Sequence, residues 1–299
     1  MISQSIHKGL SISLVSKLKD YSQLIKLRLT VVVVFSAAMG YLFAVTGTLD
    51  WMHFGILLLS GLLITGSANG INQIIEKDLD KLMTRTANRP IAAERMDVLE
   101  AVLITSIMGI IGVGLMAIFV NPTAAILGMV SLLSYAFIYT PLKQKTSFAV
   151  LVGAFPGAFP VMIGYTAITG TIDMTCMLLF SIQFLWQFPH FWSIAWILDD
   201  DYKKAGFNLL PSKGGRNKNS ALQTLLYALI LIPVSLLPAK LGLINSYSSI
   251  IVLVCGLVFA FQAFNLYRDC SIKSAKQLMI GSFLYLPIVQ LVLVLGKVF

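Results

Sequence analysis

The chain has 299 residues, 57% of them hydrophobic and only 12% charged, with a net charge of +9 and a mean hydropathy of +0.84. Soluble domains carry about 45–50% apolar and about 25% charged residues, so this composition excludes a soluble enzyme, a disordered chain and a nucleic-acid-binding module. The apolar runs are continuous rather than alternating over about 10 residues, which excludes a β-barrel and leaves an all-α polytopic membrane protein.

Nine runs long enough to cross lipid as helices follow one another, at 28–47, 51–75, 98–119, 122–140, 148–169, 173–197, 219–240, 245–267 and 277–296. Alternate loops then fall on opposite sides. The N-terminal segment and the loops around 76–97, 141–147, 198–218 and 268–276 hold 20 of the 22 lysines and arginines. Only Lys240 and Lys297 fall on the other side. The positive-inside rule makes the basic side cytoplasmic, so the net charge reads as topology. Residues 1–26 carry His7 and several lysines but no apolar core with a small-residue cleavage site. They predict a cytoplasmic arm on a single domain, 1–299, in a bacterial cytoplasmic membrane. Cys176, Cys255 and Cys270 lie far apart and predict neither a disulfide framework nor a thiolate metal site.

The acids are few and grouped. Of 13 Asp and Glu, nine form two clusters, both at the cytoplasmic ends of spans: Glu76, Asp78, Asp80, Glu94, Asp97 and Glu100, then Asp199, Asp200 and Asp201. Ionisable groups at membrane depth are costly and mark candidate functional sites. Asn72, Glu76 and Asp80 are spaced i, i+4, i+8, with Asn69 one turn before, so they share a helix face. Stacked carboxylates repel unless a cation lies between them. Oxygen ligands of this kind suit Mg²⁺, which takes one or two protein carboxylates plus substrate phosphate oxygens. Asp78 points elsewhere. Arg85 and Arg89 follow, again four apart, and can either pair with these acids or clamp a phosphate bidentately. A salt-bridged loop is the plain alternative, in which exposed pairs contribute about 0–1 kcal/mol.

The sixth span carries Trp186-Gln187-Phe188-Pro189-His190-Phe191-Trp192 ahead of the second cluster. His190 precedes Asp201 by 11 residues, close to three turns, so the two share a face. An interfacial His in an aromatic belt is one explanation; a base, a haem ligand or a substrate hydrogen bond is the other. Motifs of ATPases, zincins and α/β-hydrolases are absent from the sequence.

The run Asn72-x3-Glu76-x3-Asp80-x2-Met83-x-Arg85-Thr86-x2-Arg89-Pro90 resembles the first acidic motif of the UbiA-type intramembrane prenyltransferases. Glu76, Tyr139-Thr140-Pro141-Leu142-Lys143, Gly153-Ala154-x2-Gly157-Ala158-x-Pro160 and the Trp186 to Trp192 run followed by Asp200-Asp201-Tyr202-x3-Gly206 narrow this to the haem-farnesylating branch. These segments cover roughly residues 65–212. A departure is Ile197, which stands where the wider family's DxxxD-like second motif has its upstream acid.

The resemblance implies a nine-helix prenyltransferase bundle that transfers farnesyl from farnesyl diphosphate to a vinyl group of haem B, with water added, giving haem O. Mg²⁺ would sit on Glu76 and Asp80 with Asp200 or Asp201. Arg85, Arg89, Lys143 and Lys204 would hold the diphosphate. His190, Asn69 and Trp186 would meet the haem, which is a substrate and not a prosthetic group. The catalytic set is then Asn72, Glu76, Asp80, Arg85, Arg89 and His190. A haem A synthase or oxidase assembly factors are the implied downstream partners. Two other functions compete: a UbiA-type enzyme with an aromatic quinone-precursor acceptor, and a transporter, which would place its charges near the bilayer midplane.

Overall fold

The computed structural model describes residues 15–298; the part of the arm that holds His7 and Lys8 lies outside them. The described chain is almost entirely helical, with one isolated bridge between Ile244 and Lys297. After a helical stretch at residues 15–24, the helices are α1 (Leu27–Ala44), α2 (Trp51–Ile75), the short α3 (Lys77–Leu82), α4 (Val98–Phe119), α5 (Pro122–Leu133), α6 (Ala149–Thr169), α7 (Met174–Lys204), α8 (Lys218–Lys240), α9 (Ser246–Asp269) and α10 (Ile272–Leu295). A π-turn at Ser134–Tyr139 and a last helical turn at Thr140–Leu142 continue α5, so its span runs to Leu142.

Eight helices among the described residues are long and apolar enough to cross a membrane. The ninth expected span lies in α7, which at 31 residues is the longest helix but the less apolar one. Gln183, Gln187, Pro189 and His190 dilute its hydropathy, and all four are buried inside the bundle. Lipid therefore meets other side chains: Ile107, Ile110 and Ile118 on α4, and Leu257, Val258 and Phe261 on α9, are exposed. Large exposed apolar surface of this kind is stable in a bilayer and not in water.

Most long helices begin at a side-chain cap. Asp50, Asp97, Asn121, Asp173, Asn217, Asn245 and Ser271 each accept a backbone N–H from the first turn that follows. Such a cap stabilises a helix by about 1 kcal/mol. It also explains three acids outside the cavity described below: Asp50, Asp97 and Asp173 start helices.

Between helices there is little hydrophobic driving force inside lipid, so close backbone approach carries the packing. Gly40 on α1 and Gly164 on α6 mark the tightest crossing. A Cβ on Gly164 would collide with the Ala37 carbonyl oxygen, and one on Gly40 with that of Val161. Backbone cannot yield there as a side chain can. Gly164→Ala should therefore destabilise the protein by about 1–3 kcal/mol, the usual cost of overpacking. Thermal unfolding in detergent should show a lower midpoint for Gly164→Ala and none for Gly47→Ala, where an added Cβ meets nothing. Equal midpoints for the two would contradict the packing account.

Candidate active site

Four segments meet in one cavity of about 170 Å³: the start of α1, the α2–α3 junction with the loop after it, the end of the α5 span, and the end of α7 with its following loop. All four fall on the side that the charge distribution assigns to one face of the membrane. Asn72, Glu76 and Asp80 line the cavity and are each 1% exposed, so the predicted shared face is real. Asp78 is exposed on another face. Helix α2 ends at Ile75, Glu76 caps it, and α3 resumes the turn at once, with the Asp80 N–H donating to the Glu76 carbonyl at 2.8 Å.

Each buried carboxylate holds its own cation. Lys143 Nζ lies 2.5 Å from Glu76 Oε1, and Arg89 Nη1 donates to both oxygens of Asp80 at 2.6 and 2.8 Å. Arg85 also lines the cavity. Uncompensated charges at this depth would cost several kcal/mol each, and each pair offsets that cost for its carboxylate.

Residues that sequence reasoning missed complete the walls. Lys26, left-handed at φ 49°, turns its amine inward to donate to Asn72 Oδ1 at 2.9 Å. Burial, then Arg89 and Lys143, hold that amine well below its ordinary pKa, with Glu76 and Asp80 pulling the other way. Burial likewise lowers Lys143, which the Glu76 carboxylate only partly offsets. An arriving anion would reverse this bias and favour both ammonium forms. Tyr135, Tyr139 and Tyr202 give the cavity aromatic walls. Pro141 lacks an N–H and its ring crowds the preceding turn. The π-turn absorbs this: the Thr140 N–H reaches the Tyr135 carbonyl, and the Thr140 hydroxyl donates to the same oxygen at 2.8 Å. Thr140 Oγ1 then accepts from Asn72 Nδ2 at 3.1 Å. The Tyr139 to Lys143 motif carried this signal; nothing singled out Lys26 from the other lysines of the arm.

The second acidic cluster does not reach the cavity. Asp201 Oδ1 accepts the Thr84 N–H at 2.8 Å and Oδ2 the Arg85 N–H at 3.2 Å, and Lys204 Nζ bridges Asp201 and Thr84 Oγ1 at 3.0 and 2.7 Å. Burial would raise the Asp201 pKa, but the bonds from Thr84, Lys204 and Arg85 prevail and hold it at about 2. Asp200 is exposed and pairs with Arg216 at 2.9 Å; Asp199 pairs with Lys203 at 2.7 Å. Among the described residues no three Asp, Glu, His or Cys side chains are placed to hold a metal. Lys204 sits on Asp201 and does not line the cavity.

His190 and Trp186 form a separate station on α7 against α10. The rings stack at 4.4 Å, Trp186 Nε1 donates to the Ser282 carbonyl at 3.0 Å, and His190 Nδ1 lies 2.8 Å from Ser282 Oγ. The Ser282 hydroxyl already donates to the Met279 carbonyl at 2.6 Å, so its oxygen accepts from His190 Nδ1–H. That tautomer leaves Nε2 with its lone pair. Neither residue lines the cavity. Asn69 donates to Thr30 Oγ1 at 3.1 Å and braces α1 on α2; it does not line the cavity.

Comparison with known proteins agrees with this architecture. The UbiA prenyltransferase family matches residues 33–286. A protoheme IX farnesyltransferase of Cytophaga hutchinsonii is 49% identical over 95% of this chain and 99% of its own length. A solved digeranylgeranylglyceryl phosphate synthase superposes with a TM-score of 0.79 at 21% identity, covering 94% of this chain and 98% of that one. A UbiA homologue from Archaeoglobus fulgidus, bound to GPP and Mg²⁺, does so at 0.72 and 15% identity, covering 92% and 99%. The chain belongs to the UbiA prenyltransferase family and is a multi-pass membrane protein.

The Asp80–Arg89 pair can be tested apart from any reaction. Arg89→Met should lower stability by roughly 1–3 kcal/mol, because it leaves Asp80 buried and unpaired. Adding Asp80→Asn should restore part of that loss. A thermal double-mutant cycle measures the coupling, and additive losses would contradict the pairing.

Proposed function

We propose that this chain transfers the farnesyl group of farnesyl diphosphate to a vinyl group of haem B in a bacterial cytoplasmic membrane, giving haem O and diphosphate. The observation that supports it most is the cavity with two buried carboxylates and four cations: Lys26, Arg85, Arg89 and Lys143. The near full-length likeness to a protoheme IX farnesyltransferase supports the choice of substrates. The basic side of the bundle is then cytoplasmic, as are the N-terminus and the cavity.

Glu76 and Asp80 are hard oxygen donors facing one polar cavity, and Mg²⁺ accepts one or two carboxylates with phosphate oxygens completing its shell. They fit the ion and would hold it, and it would neutralise charge on the diphosphate. As the diphosphate enters, Lys143 and Arg89 exchange carboxylate for phosphate oxygens. Arg89 and Arg85 are suited to grip a phosphate as a fork and Lys26 and Lys143 as point charges. These donors bear on the charge that builds as the farnesyl C1–O bond breaks and its electron pair leaves with the diphosphate. The faces of Tyr135, Tyr139 and Tyr202 can shelter the allylic cation and keep water away from it. The vinyl π electrons form the new carbon–carbon bond. Water then adds to the cation beside the porphyrin and loses a proton, leaving a hydroxyl. His190, whose Nε2 keeps its lone pair, would meet this acceptor end.

Purified protein in liposomes with haem B, farnesyl diphosphate and Mg²⁺ should form haem O, read by chromatography of extracted pigment. Asp80→Asn should abolish it and Asp78→Asn should not. His190→Ala should weaken haem binding while leaving farnesyl diphosphate binding near wild type, in two titrations on one variant. Haem-independent prenylation of an aromatic acid by the wild type would overturn the choice of acceptor.

A further inference from the structure

One face of α7 carries Gln183, Gln187 and His190, spaced i, i+4 and i+7, and all three are buried. A buried amide inside lipid is costly unless other groups take its hydrogen bonds. Gln183 meets that condition at both ends. Its Nε2 donates to the Gly157 carbonyl on α6 at 2.8 Å, and its Oε1 accepts from Gln290 Nε2 on α10 at 3.0 Å. Gln290 Oε1 in turn accepts from the Ser36 hydroxyl on α1 at 3.3 Å. These side chains tie α6, α7, α10 and α1 together. Gln187, one turn nearer the cavity, does not join them. It is 4% exposed and, among the described residues, its side chain makes no hydrogen bond. Its amide lies against Gly157, where an added Cβ would collide with both Nε2 and Oε1. The glycine leaves the room that this amide occupies. An unpaired amide adds nothing to the fold, because an apolar side chain of similar shape would be neutral or stabilising there.

We propose that Gln187 is a carboxyl-binding site inside the membrane, and that it receives a carboxyl group on the porphyrin edge opposite the reacting vinyl. The inference rests on the haem B reading of the acceptor. Vinyl and carboxyethyl groups stand on opposite edges of that macrocycle. The vinyl has to reach farnesyl C1 beside the diphosphate, at the end of α7 marked by Tyr202. The far edge then points along α7 into the bundle. In that direction stand His190 and then Gln187, 12 and 15 residues before Tyr202, or roughly 18 and 22 Å at 1.5 Å rise per residue. Cavity, imidazole and amide thus follow one another along the helix in the order of vinyl, iron and carboxyl along the acceptor. A carboxyl at this depth is bound as the neutral acid, since the surroundings disfavour its charge. A primary amide matches that acid with two hydrogen bonds: its N–H donates to the acid carbonyl, and its own carbonyl accepts the acid O–H. Gln187 has both groups unspent.

The test compares haem B with its dimethyl ester, which keeps the iron and both vinyl groups but lacks the acid O–H. Full-length protein in detergent is titrated with each porphyrin through the Soret band, as wild type and as Gln187→Leu. Wild type should bind haem B about tenfold more tightly than the ester, the worth of one or two hydrogen bonds. Gln187→Leu should weaken haem B by about that factor and leave the ester within about twofold, so the preference collapses. Partitioning into detergent cancels, because both proteins see the same micelle. The thermal midpoint of Gln187→Leu without haem should equal or exceed that of wild type, since an unpaired amide is removed. A lower midpoint together with an equal loss for both porphyrins assigns Gln187 to packing and overturns the proposal. An unchanged preference in Gln187→Leu, or no preference in wild type, overturns it as well. Wild type that binds neither porphyrin overturns the haem reading, and this site with it.

Discussion

The structure depends on neutralising charge where water is scarce. Glu76 and Asp80 are buried at the end of a bundle whose outer surface is fit only for lipid. They persist there because Lys143 reaches Glu76 from the end of the α5 span and Arg89 reaches Asp80 from the loop after α3. The same two pairs make the cavity useful. A site that balances itself when empty can exchange its partners for a polyanion and a divalent cation without leaving charge stranded at either stage. Lys26, whose amine burial holds below its ordinary pKa, adds a further donor to the cavity wall.

The remaining architecture serves that cavity. Glycine contacts let α1 and α6 cross closely, and a π-turn accommodates Pro141 while aiming Thr140 at Asn72. Helix α7 carries the polar residues that a lipid-facing span would avoid. Gln183 donates to the Gly157 carbonyl and accepts from Gln290, so these polar atoms are satisfied between helices rather than exposed. Further along α7, Trp186 and His190 clasp Ser282 on α10. The helix thus runs from an aromatic and imidazole station to the turn where Asp201 accepts the Thr84 and Arg85 amides.

Much of this was legible in the chain, and what was not has a physical cause. Helix spans follow from continuous apolar runs, and the shared face of Asn72, Glu76 and Asp80 follows from helical period alone. The fate of Asp199 to Asp201 could not be read the same way. Which donor meets a carboxylate depends on loop closure, and the amides of Thr84 and Arg85 carry no side-chain signature. Lys26 was hidden for a similar reason: its direction is set by a left-handed backbone at the start of α1, and the arm holds several other lysines. Asn69 lies on the predicted face, yet Thr30 claims it first. Periodicity gives a residue's face, and competition among neighbours decides its role.

The central claim is that the Glu76–Lys143 and Asp80–Arg89 pairs are exchangeable. The most direct measurement is a structure of the protein loaded with Mg²⁺ and a non-hydrolysable farnesyl diphosphate analogue. The account predicts Lys143 and Arg89 turned onto phosphate oxygens, with Glu76 and Asp80 on the metal. Both pairs still closed, with the diphosphate bound outside the cavity lined by Asn72, Arg85 and Tyr202, would contradict it.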